Sequence, residues 1–140
     1  MFQYSVNREV GKENQQVQEK GEDIYKAVKR NKRNANKYDY PAVVVGCYKS
    51  EILYITTTRD RPSYKEVPAL EQALFRIGKI GTKRSGCKNT IGACAEPKAA
   101  FITMKKQKCT LKQLKFTIAF RPRTSQKIDY CTNCKNVFGL

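Results

Sequence analysis

The hydrophobic positions of this chain change period along its length, and each change marks an element. Between residues 13 and 33 the text is polar and rich in helix formers. Val17, Ile24 and Val28 are spaced there by seven and four, which predicts an amphipathic helix weakly interrupted by Gly21. After "NKRNANKYDYP" come "AVVVGCY" and "EILYITTT", two β-branched and aromatic runs separated by Lys49-Ser50, which predict an antiparallel hairpin. Leu70, Ala73, Leu74 and Ile77 then recur at helical spacing, giving a short helix from Pro68 to Gly78. The segments on either side of it, "RDRPSYKEVP" and "GTKRSGCKNTIG", read as loops.

Helix formers return from Cys94 to about Lys106, with Ala95, Ala99 and Ile102 in one stripe. Pro97 fixes where that helix begins, because a proline loses no hydrogen bond only within the first turn. Leu114, Phe116, Ile118 and Phe120 alternate with Lys115, Thr117, Ala119 and Arg121, so 114–121 reads as one strand ended by Pro122. The loop "RTSQKIDY" leads to Cys131 and a last short helix or turn. These elements make a single domain over 1–140, with residues 1–12 expected to be a flexible or linker-derived N-terminus.

Charge narrows the partners. Lys and Arg total 28 against 12 Asp and Glu, a net +16, which favours partners bearing phosphate, nucleic acid first and anionic membrane second. From Lys98 onward the only acid is Asp129. The stripe 13–33 makes a poor membrane-surface helix, because six acids among residues 1–40 dilute its positive face. No apolar run approaches the ~20 residues that span a bilayer, and Met1 is followed by polar sequence instead of a signal-peptide core. The chain therefore reads as soluble, without a membrane partner. Histidine is absent, so a metal site must be built from Cys, Asp or Glu, and Ser-His or Cys-His catalysis is excluded.

Six cysteines stand at 47, 87, 94, 109, 131 and 134. Cys47, inside a strand, and Cys109 read as small buried residues. An even count permits disulfides, but a domain of this size folds without staples. Cys131 and Cys134 form a C-x-x-C pair able to chelate one tetrahedral ion, and Cys94 lies at a helix start, where the positive end of the dipole stabilises a thiolate. Three protein ligands leave the fourth position open, as in catalytic zinc sites. Glu96, on the first turn with Cys94, is then placed to take a proton without being a ligand.

Cys94-Ala95-Glu96 followed by Tyr130-Cys131-Thr132-Asn133-Cys134 resembles the signature of the zinc-dependent cytidine deaminase superfamily, with cysteine in place of histidine. The wording "CAEPKAA" is closest to the deaminase domains of bacterial polymorphic toxins, the YwqJ-like group in particular. The resemblance implies an α/β fold, a three-layer α/β/α sandwich whose sheet is reduced in its C-terminal part. It implies Zn2+ on Cys94, Cys131 and Cys134, no small-molecule cofactor, Glu96 as the catalytic acid–base, and Asn89 as a substrate contact, although an asparagine in a Gly-rich loop is more often turn chemistry. Cytosine in DNA or RNA is the expected target and adenine the alternative. As a toxin, the domain would be secreted from its bacterial producer, act in the target-cell cytoplasm, and meet an acidic immunity protein at home. Tyr130 stands where the superfamily usually has proline. A competing reading makes Cys87, Cys94, Cys131 and Cys134 a closed structural zinc site on a non-catalytic nucleic-acid-binding module, which leaves Glu96 without a role. Tyr38, Tyr40, Tyr48, Tyr54 and Tyr64 are available to stack bases, though tyrosines near strands more often pack.

Overall fold

The computed structural model describes residues 2–5, 12–50, 52–60, 62–83 and 89–140, the first of these segments by its backbone alone. Its elements in chain order are β1 (Phe2–Ser5), α1 (Lys12–Asn31), β2 (Val44–Lys49), β3 (Ile52–Thr57), α2 (Pro68–Phe75), α3 (Ala95–Gln107), β4 (Lys115–Phe116), β5 (Ala119–Phe120), β6 (Lys127–Ile128) and α4 (Thr132–Phe138). The strands form one sheet in the order β1-β3-β2-β5-β6, with β4 also on β2, and every pairing is antiparallel. The fold is mixed α/β.

The predicted hairpin is the centre of this sheet, paired from Val44↔Thr57 to Lys49↔Ile52. Alternation along it sends Val44, Gly46, Leu53 and Ile55 to one face and Val45, Cys47, Tyr54 and Thr56 to the other. Helix α1 covers the first face, where Val17 packs with Val44, Leu53, Ile55 and Phe120. Gly21, expected to weaken the helix, lies buried within it and lets α1 approach the sheet: a Cβ there would sit 3.1 Å from Val44. Gly46 is tighter still, with Leu53, Val17 and Thr117 atoms 2.8–2.9 Å from where its Cβ would be.

Helix α3 covers the second face, with Ala95 and Ala99 against Val45, Cys47 and Ala119. Its other side meets α2 and the loops through Tyr64, Leu70, Leu74, Ile91, Phe101 and Met104. This explains why α3 lacks a clean hydrophobic stripe: it is buried almost all round.

Two expectations change. Phe2–Ser5, read from sequence as part of a flexible or linker-derived N-terminus, adds strand β1 to the outer edge of β3. The strand expected over 114–121 is broken into β4 and β5. Cys47 pairs with Phe116 but Val44 pairs with Phe120, so one extra residue is inserted between them and the register slips. Thr117 fills the break, donating its N–H to Gly46 O and accepting Gly46 N–H on its Oγ1, both at 2.9 Å. A slip of one residue exchanges faces. Phe116 therefore lies on the α3 side, Phe120 under α1, and Ile118 in solvent, so that the small Ala119 takes the α3 face.

Candidate metal centre

Two helix starts meet beside the α3 face of the sheet. Cys94 is the N-cap of α3 (φ −67°, ψ 160°) and Cys131 the N-cap of α4 (φ −72°, ψ 163°), while Cys134 stands one turn into α4. Cys94 Sγ lies 3.2 Å from Cys131 Sγ, Cys131 Sγ lies 3.4 Å from Cys134 Sγ, and all three sulfurs fall within 4.8 Å of one another. These separations far exceed the ~2.05 Å of a disulfide. They are close to the ~3.8 Å between sulfurs bound at ~2.3 Å in a tetrahedral site, so a metal ion would be accommodated by spreading them roughly half an ångström. These cysteines could bind a metal ion, and they are the one such cluster among the described residues.

Glu96 is the second residue of α3: as the sequence led us to expect, it shares the first turn with Cys94 and Pro97 follows it within that turn, and it is buried. Its Oε2 is 3.4 Å from Cys134 Sγ. Burial raises the pKa of this carboxyl, partly opposed by hydrogen bonds from the backbone and from Cys134. Among the thiols the pKa of Cys131 is lowered through its hydrogen bonds with Cys134 and Cys94, while Cys94 is raised chiefly by its contact with Cys131 and Cys134 by its contacts with Cys131 and Cys94. Three sulfurs and a carboxylate in one half-buried cluster would repel one another if all were ionised. A divalent cation reverses that balance by supplying the missing positive charge.

The chain matches no family model, no curated protein and no solved structure. What the site can do follows from its donors and its access. A cavity of about 160 Å3 opens over Cys94, Glu96 and Cys131, walled by Val43 and Thr58 on one side and by Ala119 and Ile128 on the other. That is smaller than the ~300–1,000 Å3 of pockets that enclose a whole drug-sized ligand. It admits one planar ring and leaves the rest of a larger molecule outside. The slipped register of β5 matters here, because it puts a methyl group in this wall where an unbroken alternation would have presented a different face.

Asn89 also borders the cavity, and its backbone oxygen accepts a 3.0 Å hydrogen bond from Asn133 Nδ2, inside the C-x-x-C pair. Cys87 lies outside the described residues. Cys109 is removed from the cluster by the length of α3, roughly 20 Å for its thirteen residues. Cys47 is fully buried in the sheet, with its thiol pushed up to about 12 chiefly by that burial.

Three further residues support the site in roles that the sequence did not assign to them. Tyr130 donates its hydroxyl to Thr117 O at 2.7 Å, anchoring the approach to Cys131 on the bulge between β4 and β5. A tyrosine thus fixes by a hydrogen bond what a proline would stiffen through its ring. Tyr64 donates to Gly92 O at 2.6 Å and ties down the turn before Cys94. Lys98, buried on the first turns of α3, donates to Thr58 O across the cavity wall. Only Tyr130 carried a sequence signal, its place beside Cys131.

Proposed function

We propose that the chain is a zinc-dependent deaminase that converts cytosine in nucleic acid to uracil, a member of the deaminase superfamily with its three-layer α/β/α sandwich, serving as the toxic domain of a bacterial polymorphic toxin. The observation that carries this reading is the buried Glu96 carboxyl beside a three-thiol cluster at the base of a ring-sized cavity. A structural zinc site needs four ligands and no neighbouring carboxylate. Three thiols with an acid outside them fit a site with an open position.

Zinc, when bound, supplies Lewis acidity that brings the pKa of water near neutrality. The thiolates of Cys94, Cys131 and Cys134 would hold it, with the Asn89 side chain stabilising charge on Cys131 and the helix starts stabilising charge on Cys94 and Cys131. Glu96 takes the proton from the attacking water and returns protons to the ring nitrogen and to the departing amine, so that water is consumed and ammonia released. Thr58 and Asn89 line the ring's pocket, and the net +16 charge attracts the phosphates that remain outside it. A cognate immunity protein would cover this basic surface with acidic residues, and the toxin would act in the cytoplasm of the target cell after secretion.

Sequencing of DNA and RNA from cells expressing the chain tests the reaction. C-to-T changes in DNA or C-to-U changes in RNA that vanish with Glu96→Ala support it, whereas A-to-G changes move the target to adenine. Metal analysis tests the site: about one zinc per chain, lost in Cys94→Ser, Cys131→Ser and Cys134→Ser and kept in Cys47→Ser, Cys109→Ser and Cys87→Ser. Loss in Cys87→Ser together with full function in Glu96→Ala would replace the enzyme by the closed four-cysteine binding module.

A further inference from the structure

Two tyrosines two residues apart meet opposite fates next to the candidate site. Tyr40 is buried and stacks on Tyr25, with ring centroids 5.3 Å apart. Tyr38 is 77% exposed, the most exposed large hydrophobic side chain among the described residues. Its backbone is nonetheless firmly held, in a one-turn 3-10 helix spanning Lys37–Asp39. Asn36 Oδ1 accepts Tyr38 N–H at 2.9 Å, Asp39 Oδ2 accepts Asn36 N–H at 2.7 Å, Lys32 Nζ bonds Asp39 Oδ1 at 2.7 Å, and the Arg59 guanidinium donates to Tyr38 O at 2.6 Å. A loop pinned by four hydrogen bonds presents an aromatic ring to water, where it gains nothing for folding.

The surroundings of that ring are cationic. Lys37 Nζ lies 5.1 Å from its centroid, and a cavity of about 180 Å3 runs from Tyr38 past Tyr40 and Ala42 to Arg121 and Arg123. Both arginines are exposed, and neither has an acidic partner among the described residues. This cavity adjoins the ring-sized one over the metal centre: Ala42 borders both, and along β5 Ala119 faces the first while Arg121, two residues on, faces the second.

We infer that Tyr38, Lys37, Arg121 and Arg123 form a subsite for the nucleotide neighbouring the target base, the base stacking on Tyr38 and its phosphate held by the arginines, and that the substrate strand is therefore unpaired where it crosses the site. The inference rests on the proposed deaminase reading for what occupies the first cavity. Its own support is physical. Base–aromatic stacking needs an open base face and tolerates any base, and guanidinium groups match phosphate oxygens in pairs. Both faces of a base within a duplex are already covered by its neighbours, so a paired strand cannot use Tyr38.

The test is binding of the zinc-loaded 140-residue chain to a fluorescein-labelled 11-nucleotide DNA or RNA, alone or annealed to its complement, followed by anisotropy. The single strand is expected to bind more tightly than the duplex. Tyr38→Ala should weaken single-strand binding by roughly 5- to 150-fold while leaving duplex binding unchanged, and Tyr38→Phe should bind like the parent. Arg121→Ala with Arg123→Ala should lower the slope of log affinity against log salt by about 1.4 for the single strand. The subsite is overturned if Tyr38→Ala binds the single strand like the parent, if it loses single strand and duplex alike, or if the parent binds neither. Binding does not require turnover, so failures separate. A chain that deaminates nothing but shows the Tyr38 pattern loses the enzymatic reading and keeps the strand-binding surface. A chain that deaminates normally as Tyr38→Ala, with unchanged KM, keeps the enzyme and loses the subsite.

Discussion

The two faces of the central hairpin are built from the same two strands and do opposite work. Under α1 the contacts are aliphatic and aromatic, Val17, Val44, Leu53, Ile55 and Phe120, packed so closely that position 46 has space only for hydrogen and a Cβ at position 21 would press on Val44. Under α3 the apolar contacts of Ala95 and Ala99 are interleaved with polar ones: Thr56 Oγ1 donates to Ala95 O at 3.3 Å, Thr103 Oγ1 to Cys47 O at 3.4 Å, and Gln107 Nε2 to Tyr54 OH at 2.8 Å. The same side buries Glu96 and Lys98. Apolar burial is favourable wherever it occurs, whereas a buried carboxyl is costly unless partnered. The α1 face is therefore where stability resides, and the α3 face is where stability is given up to hold reactive groups in place.

That division predicts mutations whose effects fall on one side only. The largest should be Glu96→Ala, which is expected to cut deamination by at least about a hundred- to ten-thousand-fold while zinc content is kept and thermal stability is unchanged or raised. A melting temperature that falls steeply would make Glu96 part of the scaffold and erase the distinction. Leu53→Ala, on the α1 face, should destabilise by about 2–5 kcal/mol through the cavity it leaves, with activity per folded molecule intact in denaturant-titrated samples. Gly46→Ala should cost about 1–3 kcal/mol, because its methyl group would meet three side chains at 2.8–2.9 Å. A neutral effect there would mean that α1 is free to retreat from the sheet.

The smallest effect sharpens the comparison at Cys47, on the α3 face but away from the cluster. Its folded pKa is raised from 9.0 to about 12, so the neutral thiol is the form that folding retains. The contribution is fully present below pH 9, and falls by up to about 1.4 kcal/mol per pH unit as pH climbs from there toward 12. Urea midpoints measured from pH 8 to 10.5 should show this slope in the parent and less of it in Cys47→Ala. Equal slopes would place the alkaline titration elsewhere.

How far the sequence announced this arrangement varies by element. The hairpin, α3 and the convergence of Cys94, Cys131 and Cys134 were legible, because β-branched runs, a proline in a first turn and C-x-x-C spacing each act over a few residues. The break at Thr117 was not. "LKFTIAF" alternates without a fault, and only a partner strand shows that Cys47 and Val44 count different numbers of residues across to Phe116 and Phe120. β1 was missed for the same reason: four residues become a strand because the outer edge of β3 offers hydrogen bonds, a tertiary fact that local pattern cannot hold. Tyr38 and Tyr40 looked alike in sequence, and burial alone separates them.

Cys94 and Cys131 are separated by 37 positions, and the chain between them contains α3, β4, β5 and β6. An ion held at both ends would close that stretch into a ring in the folded molecule. Because only the folded chain assembles all three sulfurs, a bound ion would tie the population of folded molecules to its own activity by mass action. Once binding is saturated, each tenfold rise in free metal adds about 1.4 kcal/mol to the unfolding free energy. The half-life of this protein in a given compartment would then be set by the local supply of metal as much as by its own residues.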